Sequence, residues 1–255
     1  MESKETPILS LQNLTKHFGG LTAIDRVNLS FQERKLQSII GPNGAGKTTL
    51  FNLITGMFPP NSGQIFFKGE DITHLPSADI FRRRIVRTFQ ISSIFPALSV
   101  LKNVEIAAQG RHRTSNSPWG RLTRPRGELR EIAMHYLKTL KLLDQADRKA
   151  GLLAYGDKRR LEIAMALVSD PELLLLDEPT AGMSPEETQE TARLIKDLSR
   201  NVTILLVEHD MKVIMGISDR VTVLHRGTVI ADGQPKEIQQ NREVQSIYLG
   251  AIHGH

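Results

Sequence analysis

Cysteine is absent from all 255 residues, which excludes disulfides, thiolate metal sites and cysteine nucleophiles and favours the reducing cytosol. Long apolar runs are absent as well. The longest, ELLLLDE and VTILLVEH, are bounded by charge and fall far short of the roughly 20 residues that a membrane-spanning helix needs. The first residues carry no charged-then-apolar leader pattern, and no internal repeat is visible. What is present is an ordinary globular composition, 40% hydrophobic, in a chain long enough for one large domain with or without an embedded subdomain. The net charge is a modest +5, yet basic residues gather in FRRRIVR and GRLTRPRGELR. Such runs suit contact with phosphates or an anionic surface, and a solvated face accounts for each equally well.

The two outer parts of the chain read as alternating strands and helices, which predicts an α/β fold. ILSLQNLTKHF, LQSII, GQIFFKGE, LLLLD, TILLVEH and RVTVLHRGTVIADG carry the β-favouring runs. LLLLD and TILLV are continuous rather than alternating, as central parallel strands covered on both faces should be. HRG separates two short β runs and predicts a final hairpin. Between about residues 98 and 153 the pattern turns helical, interrupted by the Gly-, Pro-, Ser- and Arg-rich stretch GRHRTSNSPWGRLTRPRG.

GPNGAGKT, from Gly41 to Thr48, has the spacing G-x-x-x-x-G-K-[ST] and lies between the apolar SII and the helix-like TTLFNLIT. Gly44 and Gly46 let the backbone turn its N–H groups inward, and the following helix adds the positive end of its dipole. A triphosphate is then held largely by main chain. Lys47 supplies a mobile positive charge for the outer phosphates, and Thr48 offers a hydroxyl to Mg²⁺, a cation that takes few protein ligands. Gly56 is placed to end the helix.

Asp177 and Glu178 follow LLLL and should emerge at the carboxyl end of a buried strand, where open α/β sheets bind ligands. Asp177 would orient Mg²⁺ through water, and Glu178 would take the proton of the water attacking a γ-phosphate. Many buried strands simply end in charges, so LLLLDE gains this meaning only beside the cradle. His209 ends VTILLVEH and would reach the γ-phosphate from the same sheet edge, although lone histidines are more often structural. Glu208 receives no role.

Together these pieces resemble the ATP-binding-cassette (ABC) ATPases, from Ile8 to about Leu249. Gln90 in RTFQ resembles the family's magnesium- and partner-sensing glutamine, and LAYGDKRRLEIAMAL occupies the signature position before LLLLDEP and VEHD. Phe18 in KHFGG resembles the aromatic that stacks on adenine, the alternative being an ordinary core phenylalanine. The resemblance implies a P-loop ATPase core with a mixed sheet, an antiparallel β subdomain and an inserted helical subdomain at roughly 91–165. All of this would lie in a single domain over 1–250, with 251–255 as a tail. Nucleotide would be held by Phe18, by Gly41, Pro42, Asn43, Gly44, Ala45, Gly46, Lys47, Thr48 and Thr49, by Asp177, and by Ala154 and Gly156 of the signature. Glu178, His209, Gln90 and Lys47 would carry catalysis, with Thr48, Gln90 and Asp177 serving Mg²⁺.

In this family the signature opens a helix that points at the γ-phosphate held by a second subunit. Here Leu153 and Gly156 match, whereas Ala154 replaces a serine, Tyr155 a glycine and Asp157 a glutamine. The free N–H groups at a helix start do not depend on side chains, and Gly156 still permits close approach. Ser184 stands where the family often has an aspartate. With Pro185 next and Glu187 three residues on, it reads as a capping box.

LAYG with RRLEIA, VEHDM with ISDR, and the terminal YLG resemble the ATPase subunits of branched-chain amino acid importers. That implies ATP and Mg²⁺ as ligands, two hydrophobic membrane permease subunits as partners, a sister or identical ATPase across the ATP sandwich, and an indirect solute-binding protein. Nucleic acid is not implied, and the place of action is the cytoplasmic face of the membrane. Ile94, Phe95, Leu98 and Val100 in ISSIFPALSVLKNV are candidates for the wall of a permease-docking groove, or else glue for the helical subdomain. A urea or amide importer, an envelope lipid exporter and a soluble non-transport ABC ATPase are the alternatives. A GTPase is disfavoured because no N-K-x-D motif follows the cradle, and a coiled-coil insertion because the inserted stretch sustains no heptads.

Overall fold

The computed structural model describes residues 6–88, 94–111 and 126–250. β1 (Leu9–Phe18) and β2 (Leu21–Phe31) form an antiparallel hairpin, and β3 (Leu36–Ile40) leads through the glycine-rich turn into α1 (Lys47–Ile54). β4 (Ser62–Phe67), β5 (Glu70–Asp71), α2 (Ser77–Arg82) and β6 (Ile85–Arg87) follow. Next come three helices, α3 (Val100–Arg111), α4 (Arg126–Thr139) and α5 (Tyr155–Leu167). The chain returns to strand–helix alternation in β7 (Leu173–Asp177), α6 (Pro185–Leu198), β8 (Thr203–Val207), α7 (Met211–Ile217), β9 (Arg220–His225) and β10 (Thr228–Gly233), then ends in α8 (Pro235–Gln240) and α9 (Arg242–Gly250).

Two sheets result. The first, in order β2-β1-β4-β5, is antiparallel; the second runs β10-β9-β3-β8-β7-β6. In the second, β9, β3, β8, β7 and β6 are parallel, and β10 closes the edge antiparallel to β9. β7 and β8 lie inside it and every one of their residues is buried, as their unbroken apolar runs predict. Leu173, Leu175, Leu205 and Val207 pack with β1, β2, β4 and α1 on one face. Leu174, Leu176, Ile204 and Leu206 pack with α3 to α6 on the other. With both faces apolar, alternation cannot specify register. The polar strand ends do so instead: Thr203 Oγ1 accepts from Arg34 N at 3.0 Å at one end, and Asp177 pairs with Val207 at the other.

Two strands were not evident in the sequence. β2 interleaves polar and charged residues with its apolar ones, and β6 is a three-residue strand inside the basic run FRRRIVR. Its partner β7 fixes it, pairing Ile85 with Leu173 and Arg87 with Leu175. α1 ends as expected. Gly56 takes φ 64°, its N–H donates to Leu53 O at 3.1 Å, and Met57 N–H donates to Asn52 O at 2.9 Å. That is the Schellman arrangement; a side chain at Gly56 would meet Leu75 O at 2.6 Å.

The segment before α3 is tied down by Asn103, fully buried, which accepts from Phe95 N–H at 2.6 Å and donates to Phe95 O at 3.1 Å. Val100 is completely buried in the helical-side core and Ile94 packs against it, so these two residues glue rather than line a groove. Phe95 remains exposed and Leu98 half-buried.

The capping box on α6 is present: Glu187 N–H donates to Ser184 Oγ at 3.3 Å and Ser184 N–H donates to Glu187 Oε2 at 2.9 Å, with Pro185 at the first helical position. Replacing a capping serine by alanine costs about 0.5–2 kcal/mol. Ser184→Ala should therefore lower the free energy of unfolding by that amount, read as a lower urea midpoint at unchanged m-value. An undiminished midpoint would show that the box contributes nothing.

Candidate nucleotide-binding site

β3 is buried along its whole length, so the turn that follows is delivered to the sheet's carboxyl edge without freedom to drift. Gly46, at φ 107°, is the N-cap of α1, and a Cβ there would lie 2.6 Å from Ala23 O; only glycine allows this approach to β2. Lys47 is buried. Its Nζ donates to Gly41 O at 2.6 Å and to Pro42 O at 3.0 Å. Burial holds the Lys47 ammonium below the ordinary lysine value of 10.5, opposed by the negative charges of Glu178 and Asp177.

A cavity of about 300 Å³ opens over this turn, lined by Phe18, Asn43, Gly44, Ala45, Gly46, Lys47, Thr48, Thr49, Glu178 and His209 among others. Residues from both ends of the chain thus meet at one edge of the sheet. Phe18 is not a core residue. It is 46% exposed at the end of β1, with its ring edge-on to Phe58 at 5.3 Å and Lys16 Nζ 5.3 Å from its centroid.

Asp177 closes β7 and is buried. Its Oδ2 accepts from Arg87 at 2.7 Å, while its Oδ1 is buried with no hydrogen-bond partner. The same guanidinium donates to Asn52 Oδ1 at 2.5 Å and lies 5.4 Å from the centre of the Phe51 ring. Arg87 therefore ties β6, α1 and the buried carboxylate together, and sequence reasoning missed it. The available signal was an arginine within a strand, three residues before Gln90, where only a buried anion justifies a cation. Gln90 itself lies outside the described residues.

Glu178 leaves β7 with φ 49°, a left-handed conformation costing a side-chain-bearing residue on the order of 1–3 kcal/mol. The turn is clamped by Glu178 N–H donating to Val207 O at 2.8 Å. It carries the carboxylate out of the sheet, where Glu178 Oε1 stands 2.6 Å from His209 Nε2. β8 ends at Val207, so His209 sits in the loop beyond the strand rather than at its tip. Asp210 then caps α7, accepting from Lys212 N–H at 2.8 Å.

The signature residues lie elsewhere. Ala154 is the N-cap of α5 without a side-chain cap bond, and neither it nor Gly156 lines the cavity of its own chain. Gly156 is buried against α6; a Cβ there would sit 2.8 Å from Glu187 Oε1. Asp157 does not face outward as a bare anion: it accepts from Gln145 Nε2 at 2.7 Å and pairs with Arg160. Arg159 is likewise occupied, donating to the Tyr155 hydroxyl at 3.0 Å and to Glu162 at 3.0 Å. The Tyr155 ring stands over Gly182, 3.1 Å from where a Cβ would be.

The arrangement suits phosphate chemistry: main-chain N–H groups, a buried ammonium, an exposed aromatic and a carboxylate–imidazole pair line one cavity. The sequence matches the family model of ABC transporters over residues 24–181 and that of branched-chain amino acid ATP-binding cassette transporters over residues 228–253. The high-affinity branched-chain amino acid transport ATP-binding protein BraF of Pseudomonas aeruginosa is 45% identical over 251 residues, spanning 96% of this chain and 98% of that protein. An ATP-binding cassette of an ABC transporter solved in its ADP conformation superposes with a TM-score of 0.84 at 32% identity, over 96% of this chain and 99% of that one. A dimeric cassette in a post-hydrolysis state, bound to ADP and Pi, gives 0.75 at 28% identity over 89% and 98%. Site geometry, sequence and fold agree, and the chain belongs to the ABC transporter family as one of its ATP-hydrolysing cassettes.

Proposed function

We propose that this ATPase energises a membrane importer of branched-chain amino acids, working at the cytoplasmic face beneath two permease subunits and paired with a sister or identical cassette. The solute assignment draws support from the identity to BraF over nearly the full length of both chains. The pairing rests on one observation. The cavity holds the cradle, Glu178 and His209, but the start of α5 lies outside it, so one chain supplies only part of the shell that the family's signature completes. The dimeric relative supports the same arrangement.

Within the site, main-chain N–H groups of residues 43–48 and the Lys47 ammonium bind the phosphates, and Phe18 stacks on the base. The donor set fits Mg²⁺: Thr48, which carries a hydroxyl, is among the residues lining the cavity, and Asp177 Oδ1 is a buried acceptor in want of a partner. Thr48, Gln90 and, through water, Asp177 would hold the ion, which when bound neutralises charge on the transferred phosphoryl group. Glu178 takes the proton of the attacking water, and His209 orients Glu178 until the γ-phosphate draws the imidazole to itself. The N–H groups at the start of α5 of the neighbouring chain face that γ-phosphate. Residues 1–250 act as one cassette whose helical part, roughly 91–165, meets the permease. An apolar recess of about 250 Å³ between β6, α3 and α5, lined by Phe81, Val86, Ala107, Met165 and Ala166, is placed to take a cytoplasmic permease helix.

Glu178→Gln should still bind ATP but lose about 3–5 kcal/mol of transition-state stabilisation, a fall in kcat of roughly 10²- to 10⁴-fold. In that variant, saturating Mg-ATP should convert monomers to dimers in sedimentation velocity. Near-normal turnover would remove Glu178 from its role, and a mass that stays monomeric would remove the shared site.

A bound triphosphate raises the depressed Lys47 pKa, so ATP binding takes up a proton on the alkaline side. Affinity should be flat with pH until the nucleotide-free Lys47 titrates, below 10.5, and then fall as pH rises further. Calorimetry in two buffers of different ionisation enthalpy checks this. The proton uptake should vanish in Lys47→Met.

A further inference from the structure

Glu208 stands directly before His209, and its side chain is buried at 4% exposure. Its Oε1 accepts from Thr180 N–H at 2.9 Å and from Thr180 Oγ1–H at 2.5 Å; its Oε2 accepts from the main-chain N–H of His209 at 3.0 Å. Among the described residues no cation pairs with it. Thr180 is itself buried and lies two residues beyond Glu178.

We propose that Glu208 is a positioning residue for ATP hydrolysis: a buried carboxylate strut between the loop that carries Glu178 and the loop that carries His209, setting the separation of those two groups. This rests on the roles given to Glu178 and His209 above.

The geometry singles out a carboxylate. Two donors on one loop and one on the other point at a single side chain; the two from Thr180 are buried and the His209 N–H is partly so. A buried N–H left without an acceptor is costly, so each loop is held where the shared acceptor is. Glu178 needs such holding, because it occupies a left-handed conformation that only surrounding bonds maintain. The Glu178 N–H to Val207 O bond fixes the start of its loop, and Glu208 fixes the loop two residues later. His209 is held through its own backbone by the same carboxylate, so the 2.6 Å contact between Glu178 Oε1 and His209 Nε2 spans two loops joined at one point.

Glutamine cannot serve. In Glu208→Gln the amide oxygen satisfies one loop while the NH₂ opposes an N–H of the other; turning the amide over exchanges the conflict without removing it. Aspartate is one methylene short of reaching both loops.

The test compares the full-length wild type with E208Q, T180V and E178Q. Misplacement of a reacting group by a fraction of an ångström to 1 Å costs up to about 100-fold. E208Q should therefore show kcat reduced roughly 10- to 100-fold with KM for ATP changed less than about 2-fold, and T180V, which loses only the hydroxyl donor, a smaller fall of the same kind. In NMR spectra of histidine-labelled protein, the His209 ring resonances should move in E208Q and in E178Q alike; a loss of general stability alone would not move them. Wild-type kcat in E208Q together with unmoved His209 resonances overturns the strut, while a slow E178Q in the same experiment leaves the role of Glu178 intact. Should E178Q turn over normally, the assignment of Glu178 fails, and the strut is judged on the His209 resonances of E208Q alone.

Discussion

Parallel pairing of β7 with β8 carries the site. Asp177 stands in register with Val207, and the next residue's N–H bonds to Val207 O, so the two strands release their chains side by side at one sheet edge. Groups 31 residues apart in sequence, Glu178 and His209, come within hydrogen-bonding distance for that reason. The strands are buried between two cores, one against the antiparallel sheet and α1 and one against the helices, and their polar ends hold the register. β3, on the other side of β8, brings the phosphate cradle to the same edge. Apolar burial thus supplies rigidity, and the polar chemistry is confined to strand ends where both water and nucleotide can reach.

Much of this was legible in the sequence, because the informative signals were strong and local. GPNGAGKT carries its own backbone chemistry, LLLLD and TILLV announce covered parallel strands, and Ser184-Pro185 with Glu187 spells a capping box that the structure contains. Phe18, singled out by resemblance as the aromatic that stacks on adenine, lines the cavity and is exposed. What escaped was non-local. β6 is too short to have a period, and only its pairing with β7 makes it a strand. Arg87 reads as one more cation in a basic run until Asp177 is seen beside it. Glu208 had no visible partner because Thr180 lies 28 residues away in sequence. Val100 could be groove wall or internal glue from sequence, which does not reveal which face of α3 turns inward; it is buried. Residues 112–125 of the Gly-, Pro-, Ser- and Arg-rich stretch, and the tail 251–255, fall outside the described residues.

The unusual signature resolves into compensated substitutions. Asp157, which as a free anion would repel phosphate, is engaged by Gln145 and Arg160, and Arg159 is drawn aside onto Tyr155 and Glu162. Most of the added charge is therefore cancelled within the turn, leaving the helix N-terminus to act through its backbone. Gly156 lies against the Glu187 carboxylate of α6, which would have to shift to admit a Cβ.

Tyr155 has a consequence that a glycine could not have. Its ring leans on Gly182, in the loop that runs from Glu178 to the cap of α6. The start of α5, which in the proposed pairing faces the neighbouring chain, thereby touches the loop that follows the chain's own Glu178. An ordinary aromatic, standing where the smallest residue would leave a gap, joins the proposed pairing surface to the loop that carries the chain's own carboxylate.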